Sequence, residues 1–178
     1  AISMGDPSGI GPEIICKSLS EIIFEYDFHP VILGNFDALE HIDNIIKSHL
    51  KFLKIDSLSR ISELNSDIIP VMDDSNLDFS KISPGVISAT AGDASMKWVL
   101  HSGRLADSKE VDAVVSCPIN KESCSLTGSG AIGHMELFRE QTKSKNVATM
   151  LMTPGLRVVH LSTHKSLKEA CDYVTFKN

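Results

Sequence analysis

The chain has 178 residues, 42% of them hydrophobic, 22% charged and 6% aromatic, with a formal net charge of −6. That length allows a sizeable core in one or two domains, and an acidic balance with no lysine or arginine cluster excludes nucleic acid as an expected partner. No apolar run approaches the ~18 residues of a membrane span and the first residues lack the regions of a signal peptide, so no membrane partner is expected and the expected location is cytoplasmic.

In chain order, residues 1–4 form a short apolar segment that reads as a strand. Gly5-Asp6-Pro7-Ser8-Gly9-Ile10-Gly11-Pro12-Glu13 follows, with three glycines, two prolines and two acids. Glycine permits positive φ and close backbone approach, Pro12 suits the first turn of a helix and Glu13 its positive end. The unit reads as strand, tight loop and helix, with backbone N–H groups presented to an anion or cofactor; a tight turn with no ligand is the alternative. It is not a P-loop, because no lysine follows Ile10, and not the dinucleotide fingerprint, because Ile14 stands where the third glycine belongs.

The helix is expected over residues 12 to about 26, with Ile14, Ile15, Leu19, Ile22 and Ile23 as its apolar stripe. Residues 30–34 read as a buried parallel strand, and Asn35 caps a helix reaching about residue 50. Residues 52–55 and 68–72 read as strands, 73–84 as an exposed connection, 88–105 as a helix and 112–117 as a buried strand. Pro154-Gly155 joins two β-rich runs, 147–153 and 156–162, into a hairpin. The alternating order predicts a mostly parallel, doubly wound α/β sheet flanked by helices. Cys16, Cys117, Cys124 and Cys171 have no C-x-x-C spacing and read as reduced, mostly buried thiols. The opening at Ala1 within a strand and the close at residues 174–178 in a helix or its exit read as part of something longer.

Three motifs carry candidate chemistry. Lys121, in Pro118-Ile119-Asn120-Lys121-Glu122, follows a parallel strand at its carboxyl end, where open α/β sheets bind ligands; a solvated lysine at a helix start is the alternative. His134, in Gly133-His134-Met135-Glu136, precedes a helical run at 137–141 and is placed to meet an oxyanion, or else to cap the helix. His164, in Ser162-Thr163-His164-Lys165, ends the hairpin and by itself has no metal-ligand spacing.

The glycine run, the Pro-x-Asn-Lys segment, Gly-His-x-Glu and the Thr-His pair occur in the order found in 4-hydroxythreonine-4-phosphate dehydrogenases, which this chain resembles over nearly its whole length. The wider kin of that family include the isocitrate and isopropylmalate dehydrogenases. The resemblance implies a two-domain family fold, residues 1–178 being the N-terminal part and the C-terminal part being absent from this sequence. It implies NAD-dependent oxidation of 4-phosphohydroxy-L-threonine to an unstable 2-amino-3-oxo acid that decarboxylates toward pyridoxal phosphate. NAD or NADP is the implied cofactor, and a homodimer the implied assembly. By the same resemblance Gly9, Ile10 and Gly11 contact the cofactor, Lys121 is the catalytic lysine, and His134 and Met135 contact the phosphorylated hydroxy-amino-acid substrate. His164 is then one of the ligands of a divalent metal such as zinc, magnesium or cobalt. The family has threonine where this chain has Met135, which lacks a hydroxyl. A sibling dehydrogenase acting on phospho-threonate or a cis-dihydrodiol, or a non-catalytic binding or assembly module, are the alternatives.

Overall fold

The computed structural model describes residues 1–130, 133–162 and 165–176. It divides into two compact units, residues 1–142 and 143–178. The first unit holds a five-stranded sheet built from β1 (Ile2–Ser3), β2 (Ile32–Leu33), β3 (Lys51–Lys54), β4 (Ile68–Met72) and β5 (Val115–Ser116). The order is β3-β4-β2-β1-β5 and all pairs are parallel. Helices α1 (Gly11–Ile22) and α2 (Phe36–Ile46) follow β1 and β2 and pack on each other. Helix α3 (Ala89–Asp107) makes the crossover from β4 to β5 and packs on β1 and β2. Crossovers of this kind are right-handed, so α1 and α2 share one face of the sheet and α3, carried in the opposite direction, covers the other. Met4, Leu19, Ile32, Leu33, Leu39, Ile69, Val71 and Trp98 fill the core between these layers.

The sheet bears out the α/β expectation and its mostly parallel strands, and several boundaries move for local reasons. Helix α1 stops at Ile22 and not near residue 26. Helix α2 stops at Ile46 because Lys47 turns left-handed, φ 56°, while its N–H still reaches the Asp43 carbonyl at 2.7 Å. The 112–117 strand shrinks to two residues and is not buried. It lies at the sheet edge with β1 as its sheet partner, leaving Val115 60% exposed. The 73–84 connection is only partly exposed: Ser75 and Leu77 are buried, and a 3-10 turn forms at Phe79–Lys81.

After β5 come two short helices, α4 (Lys121–Ser125) and α5 (His134–Thr142). Both pack on α3, and Met96, Val99, Cys124 and Leu137 form a small second core among the three. The approach of α3 to α4 requires Gly92, where a Cβ would collide with the Ser123 carbonyl.

The second unit contains the antiparallel pair β6 (Met150–Thr153) and β7 (Leu156–Val159) and helix α6 (Leu167–Asp172). Gly155 takes a left-handed φ of 79° in the hairpin turn, as Pro-Gly foretells. Ser166 and Glu169 close a reciprocal capping box on α6.

Candidate functional site

Because every strand of the large sheet is parallel, the segments leaving β1, β2, β4 and β5 meet along one edge. The β1 exit is held from inside. Asp6 is buried; its N–H donates to the Pro118 carbonyl at 2.9 Å, and its Oδ1 accepts the Ser8 N–H at 2.9 Å and the Ser8 hydroxyl at 2.7 Å. The Gly9 N–H donates to the Asp6 carbonyl at 3.1 Å, and the Ser8 carbonyl accepts from Gly85 at 2.7 Å. The N–H groups of Asp6, Ser8 and Gly9 are therefore taken up within the protein. Gly9 and Ile10 form the exposed tip of the loop, and α1 begins at Gly11 with Pro12 in its first turn.

Two of the glycines in this loop answer to packing. Gly5 has φ 72°, and a Cβ on it would overlap the Pro118 carbonyl; a Cβ on Gly11 would overlap the Met4 carbonyl. An apolar cavity of about 780 Å³, lined by Ile2, Ile15, Leu19, Val31, Val111 and Val115 among others, lies against α1 and β5, and residues 5–10 do not line it.

Neighbouring exits are bound to the same edge. Asn35 caps α2 by accepting the Ala38 N–H at 2.9 Å, and its amide donates to Asp73 Oδ2 at 2.8 Å and to the Leu77 carbonyl at 3.1 Å. Asn120 caps α4 by accepting the Ser123 N–H at 2.9 Å. That cap fixes Lys121 as the first residue of α4, where it is exposed and makes no ion pair among the described residues.

His134 opens α5 and comes back to the end of β5. It is half-buried, and burial lowers its pKa below the ordinary 6.5, opposed by a hydrogen bond with the Cys117 backbone and by the Glu136 carboxylate. Its Nε2 is buried and has no hydrogen-bond partner among the described residues. The imidazole is thus bound to the strand end from which Pro118 to Lys121 depart, with burial favouring its neutral form and one buried nitrogen left unused. Met135 is 40% exposed on the same first turn. His134 thus meets the end of β5 at Cys117, Lys121 opens α4 four residues further along the chain, Met135 follows His134 on α5, and Gly9 and Ile10 stand on the loop bound to Pro118.

The remaining sequence-predicted ligand, His164, lies outside the described residues. Among the described residues no group of three His, Cys, Asp or Glu side chains is arranged to hold a metal. The cysteines match their structural reading: Cys16, Cys117 and Cys124 are buried and Cys171 is exposed. Burial pushes the Cys16 thiol up to about 12 and Cys117 to about 11. Burial thus favours the protonated thiol at Cys117, whose backbone bonds His134.

The sequence reading missed the framework of this edge, namely Asp6, Asn120 and the Asn35–Asp73 pair. The first two carried local signals, since Asp-x-Ser favours an Asx turn and Asn before a short helical run favours a cap.

A parallel sheet that gathers a glycine-rich turn, a lysine at a helix start and a half-buried histidine at its carboxyl edge has the layout of an α/β small-molecule site. The family model described as "Pyridoxal phosphate biosynthetic protein PdxA" matches residues 27–178, and the chain belongs to that family. A relative from Halalkalibacterium halodurans, named "Putative D-threonate 4-phosphate dehydrogenase", is 34% identical over 98% of this chain and 52% of its own length. A crystal structure of a 4-hydroxythreonine-4-phosphate dehydrogenase from Klebsiella pneumoniae is 33% identical, with a TM-score of 0.82 over 96% of this chain and 51% of that one. Another, from Burkholderia phymatum, is 30% identical, with a TM-score of 0.83 over 94% of this chain and 50% of that one. The chain spans about half the length of the curated relatives it matches.

Proposed function

We propose that this chain supplies the substrate-anchoring part of a dehydrogenase that oxidises a phosphorylated hydroxy acid, with 4-phosphohydroxy-L-threonine as the first candidate. The observation that carries the reading is His134, held to the Cys117 backbone at the end of β5 with its Nε2 unused, beside the strand exit that leads to the exposed Lys121. Family membership and the dehydrogenase names of the relatives support it.

In this reading residues 1–178 are the N-terminal part of a longer two-domain enzyme that is cytoplasmic and homodimeric. NAD or NADP, when bound, supplies the hydride acceptor, and Gly9, Ile10 and Gly11 are the residues offered to it. The carbinol carbon gives up its hydrogen with both electrons, the hydroxyl gives up its proton, and the resulting β-keto acid loses carbon dioxide. Lys121 contributes a fixed positive charge to the substrate phosphate. His134, neutral at physiological pH because burial lowers its pKa, contributes a directional hydrogen bond. His164 is proposed as one ligand of a divalent metal.

Met135 favours a second reading, in which the substrate is a phosphorylated hydroxy acid other than 4-phosphohydroxy-L-threonine. A thioether cannot donate a hydrogen bond, and the Halalkalibacterium relative is named for D-threonate 4-phosphate. The test is a substrate panel on the intact, metal-supplemented gene product, read as reduction of NAD and NADP. Turnover of 4-phosphohydroxy-L-threonine supports the first reading and turnover of D-threonate 4-phosphate the second. A folded protein that reduces neither cofactor with either substrate refutes both.

A further inference from the structure

We propose that the phosphorylated substrate binds together with a proton from solvent, taken up at Nε2 of His134 and balanced by the carboxylate of Glu136. This rests on the reading that His134 bonds the substrate, and it assigns that bond to the phosphate.

The tautomer of the ring follows from its partners. The Cys117 N–H already goes to the Ser3 carbonyl at 2.9 Å, so the backbone group that meets the imidazole is the Cys117 carbonyl. The ring is then the donor, which agrees with a bond that favours its protonated form. Nε2 has no hydrogen-bond partner among the described residues, which leaves Nδ1–H as the group that donates. In the neutral ring Nε2 therefore carries only a lone pair. A phosphate dianion offers only acceptor oxygens, and above about pH 6 a phosphate monoester carries no proton of its own to bridge the two. The nitrogen must be protonated for the bond to form. A substrate hydroxyl donating to the bare nitrogen is the alternative, and the experiment below separates the two.

A counter-charge stands beside the ring. Gly133 accepts the first helical bond of α5, from Leu137 at 3.0 Å, and Glu136 in the first turn folds its side chain back over it. A Cβ on Gly133 would strike that carboxylate. Residues two apart on a helix do not face each other, so this fold-back is what brings the charge to the neighbour of His134. It raises the proton affinity of the imidazole against the burial that lowers it. On α3, which packs on α5, Asp93 pairs with Lys97, and His101 and Arg104 lie against Asp74. At Cys117 burial favours the neutral thiol. With a neutral ring, Glu136 leaves this helix start negative toward a phosphate; an imidazolium cancels the charge. Glu136 is thus a positioning residue that acts on the substrate through His134.

The test is a calorimetric titration of the intact, metal-supplemented gene product without nicotinamide cofactor. The probes are 4-phosphohydroxy-L-threonine and D-threonate 4-phosphate, each in buffers of different ionisation enthalpy, which counts the protons taken up. Near pH 8 the parent is expected to take up about one proton more than His134→Gln, the excess shrinking toward about pH 6 as the phosphate brings its own. Equal uptake with weaker binding by His134→Gln overturns the proposal and leaves His134 as a substrate contact that accepts from a hydroxyl. Equal uptake with equal affinity overturns both. Nitrogen-15 NMR of the unsubstituted protein decides the matter where the variant fails to fold: Nε2 gaining a proton on saturation at pH 8 supports the proposal, and a bare Nε2 refutes it. Two variants test the counter-charge. Glu136→Gln keeps the helix cap, which glutamine makes as glutamate does, and Gly133→Ala displaces the carboxylate without a backbone collision. Each is expected to lower the pH at which Nε2 loses its proton in the complex by about 0.5 unit or more. An unshifted titration in both variants overturns the role of Glu136.

Discussion

The carbonyl of Pro118 accepts the N–H of Asp6 at 2.9 Å, joining the loop that leaves β1 to the segment that leaves β5. This contact passes over Gly5, whose hydrogen points where any Cβ would strike the same carbonyl. The glycine loop and the Lys121 segment are thus one piece of structure.

Glycine substitutions separate packing from ligand contact. Gly5→Ala combines a left-handed φ with a backbone collision, and Gly11→Ala meets the Met4 carbonyl, so each is expected to cost about 3–5 kcal/mol of stability. Gly9→Ala finds its nearest neighbour, Asp6 Cβ, at 3.4 Å, and is expected to cost less than about 1 kcal/mol. Urea midpoints check the three variants. If Gly9 approaches the cofactor, Gly9→Ala raises the KM for NAD at unchanged stability.

Asn35 holds three segments with one side chain, accepting from Ala38 and donating to Asp73 and Leu77. Asn35→Ala removes a helix cap and leaves the Leu77 carbonyl short of a donor in a buried place, for an expected loss of about 2–4 kcal/mol. Asn35→Asp keeps the cap but sets a second carboxylate against Asp73. Its stability relative to the parent is expected to recover as pH falls, and thermal melts at neutral and acid pH measure this.

The layered fold was legible because the chain alternates apolar runs with helical stripes, and the Asn35 cap stands where the sequence places it. The edge position of β5 was not legible. Asp112 to Cys117 reads as an interior strand, and only the pairing order reveals that β1 is its one neighbour among the described residues. The same holds for the glycine loop: its composition announced a tight turn, but a carbonyl contributed from more than 100 residues away determines why Gly5 is glycine. The capping box of α6 was readable as Ser166-x-x-Glu169 and shows that a short helix can be signalled by its cap alone. For the site, the sequence placed Lys121 and His134 near helix starts. Their arrival at one strand end depends on the packing of α4 and α5 on α3, which no local pattern encodes.

Lys121 is exposed and free of ion pairs among the described residues, so its removal tests function with little structural cost. Lys121→Ala is expected to change stability by less than about 0.5 kcal/mol. If its charge holds the phosphate, KM for a phosphorylated substrate rises about 10- to 100-fold, and Lys121→Arg restores part of the loss. Unchanged kinetics in the alanine variant remove Lys121 from the site.

His134 gives a pH dependence with a definite sign. Burial lowers its folded pKa below the ordinary 6.5, so the unfolded chain takes up this proton more readily than the folded one. Its contribution is fully present above 6.5 and declines as pH falls through the depressed folded value. The parent is expected to lose stability between neutral pH and about pH 5 more steeply than His134→Gln, which cannot titrate. Urea midpoints across that range decide the matter, and parallel curves would show that the imidazole is not desolvated in solution.

Met135 lies one residue past His134 on the first turn of α5 and is 40% exposed, so a change there is expected to leave the fold intact. If this position meets the substrate, threonine restores a hydroxyl donor that a thioether lacks, and an acceptor oxygen left unpaired beside methionine gains a partner. Such a gain is about 1–3 kcal/mol, or roughly 10- to 100-fold in affinity. Met135→Thr is therefore expected to shift kcat/KM toward 4-phosphohydroxy-L-threonine relative to D-threonate 4-phosphate. A loss with the second substrate would show that its binding uses the methionine as a packing surface. Equal ratios in the two proteins would place Met135 outside the substrate's reach, leaving Lys121 and His134 to define the site without it.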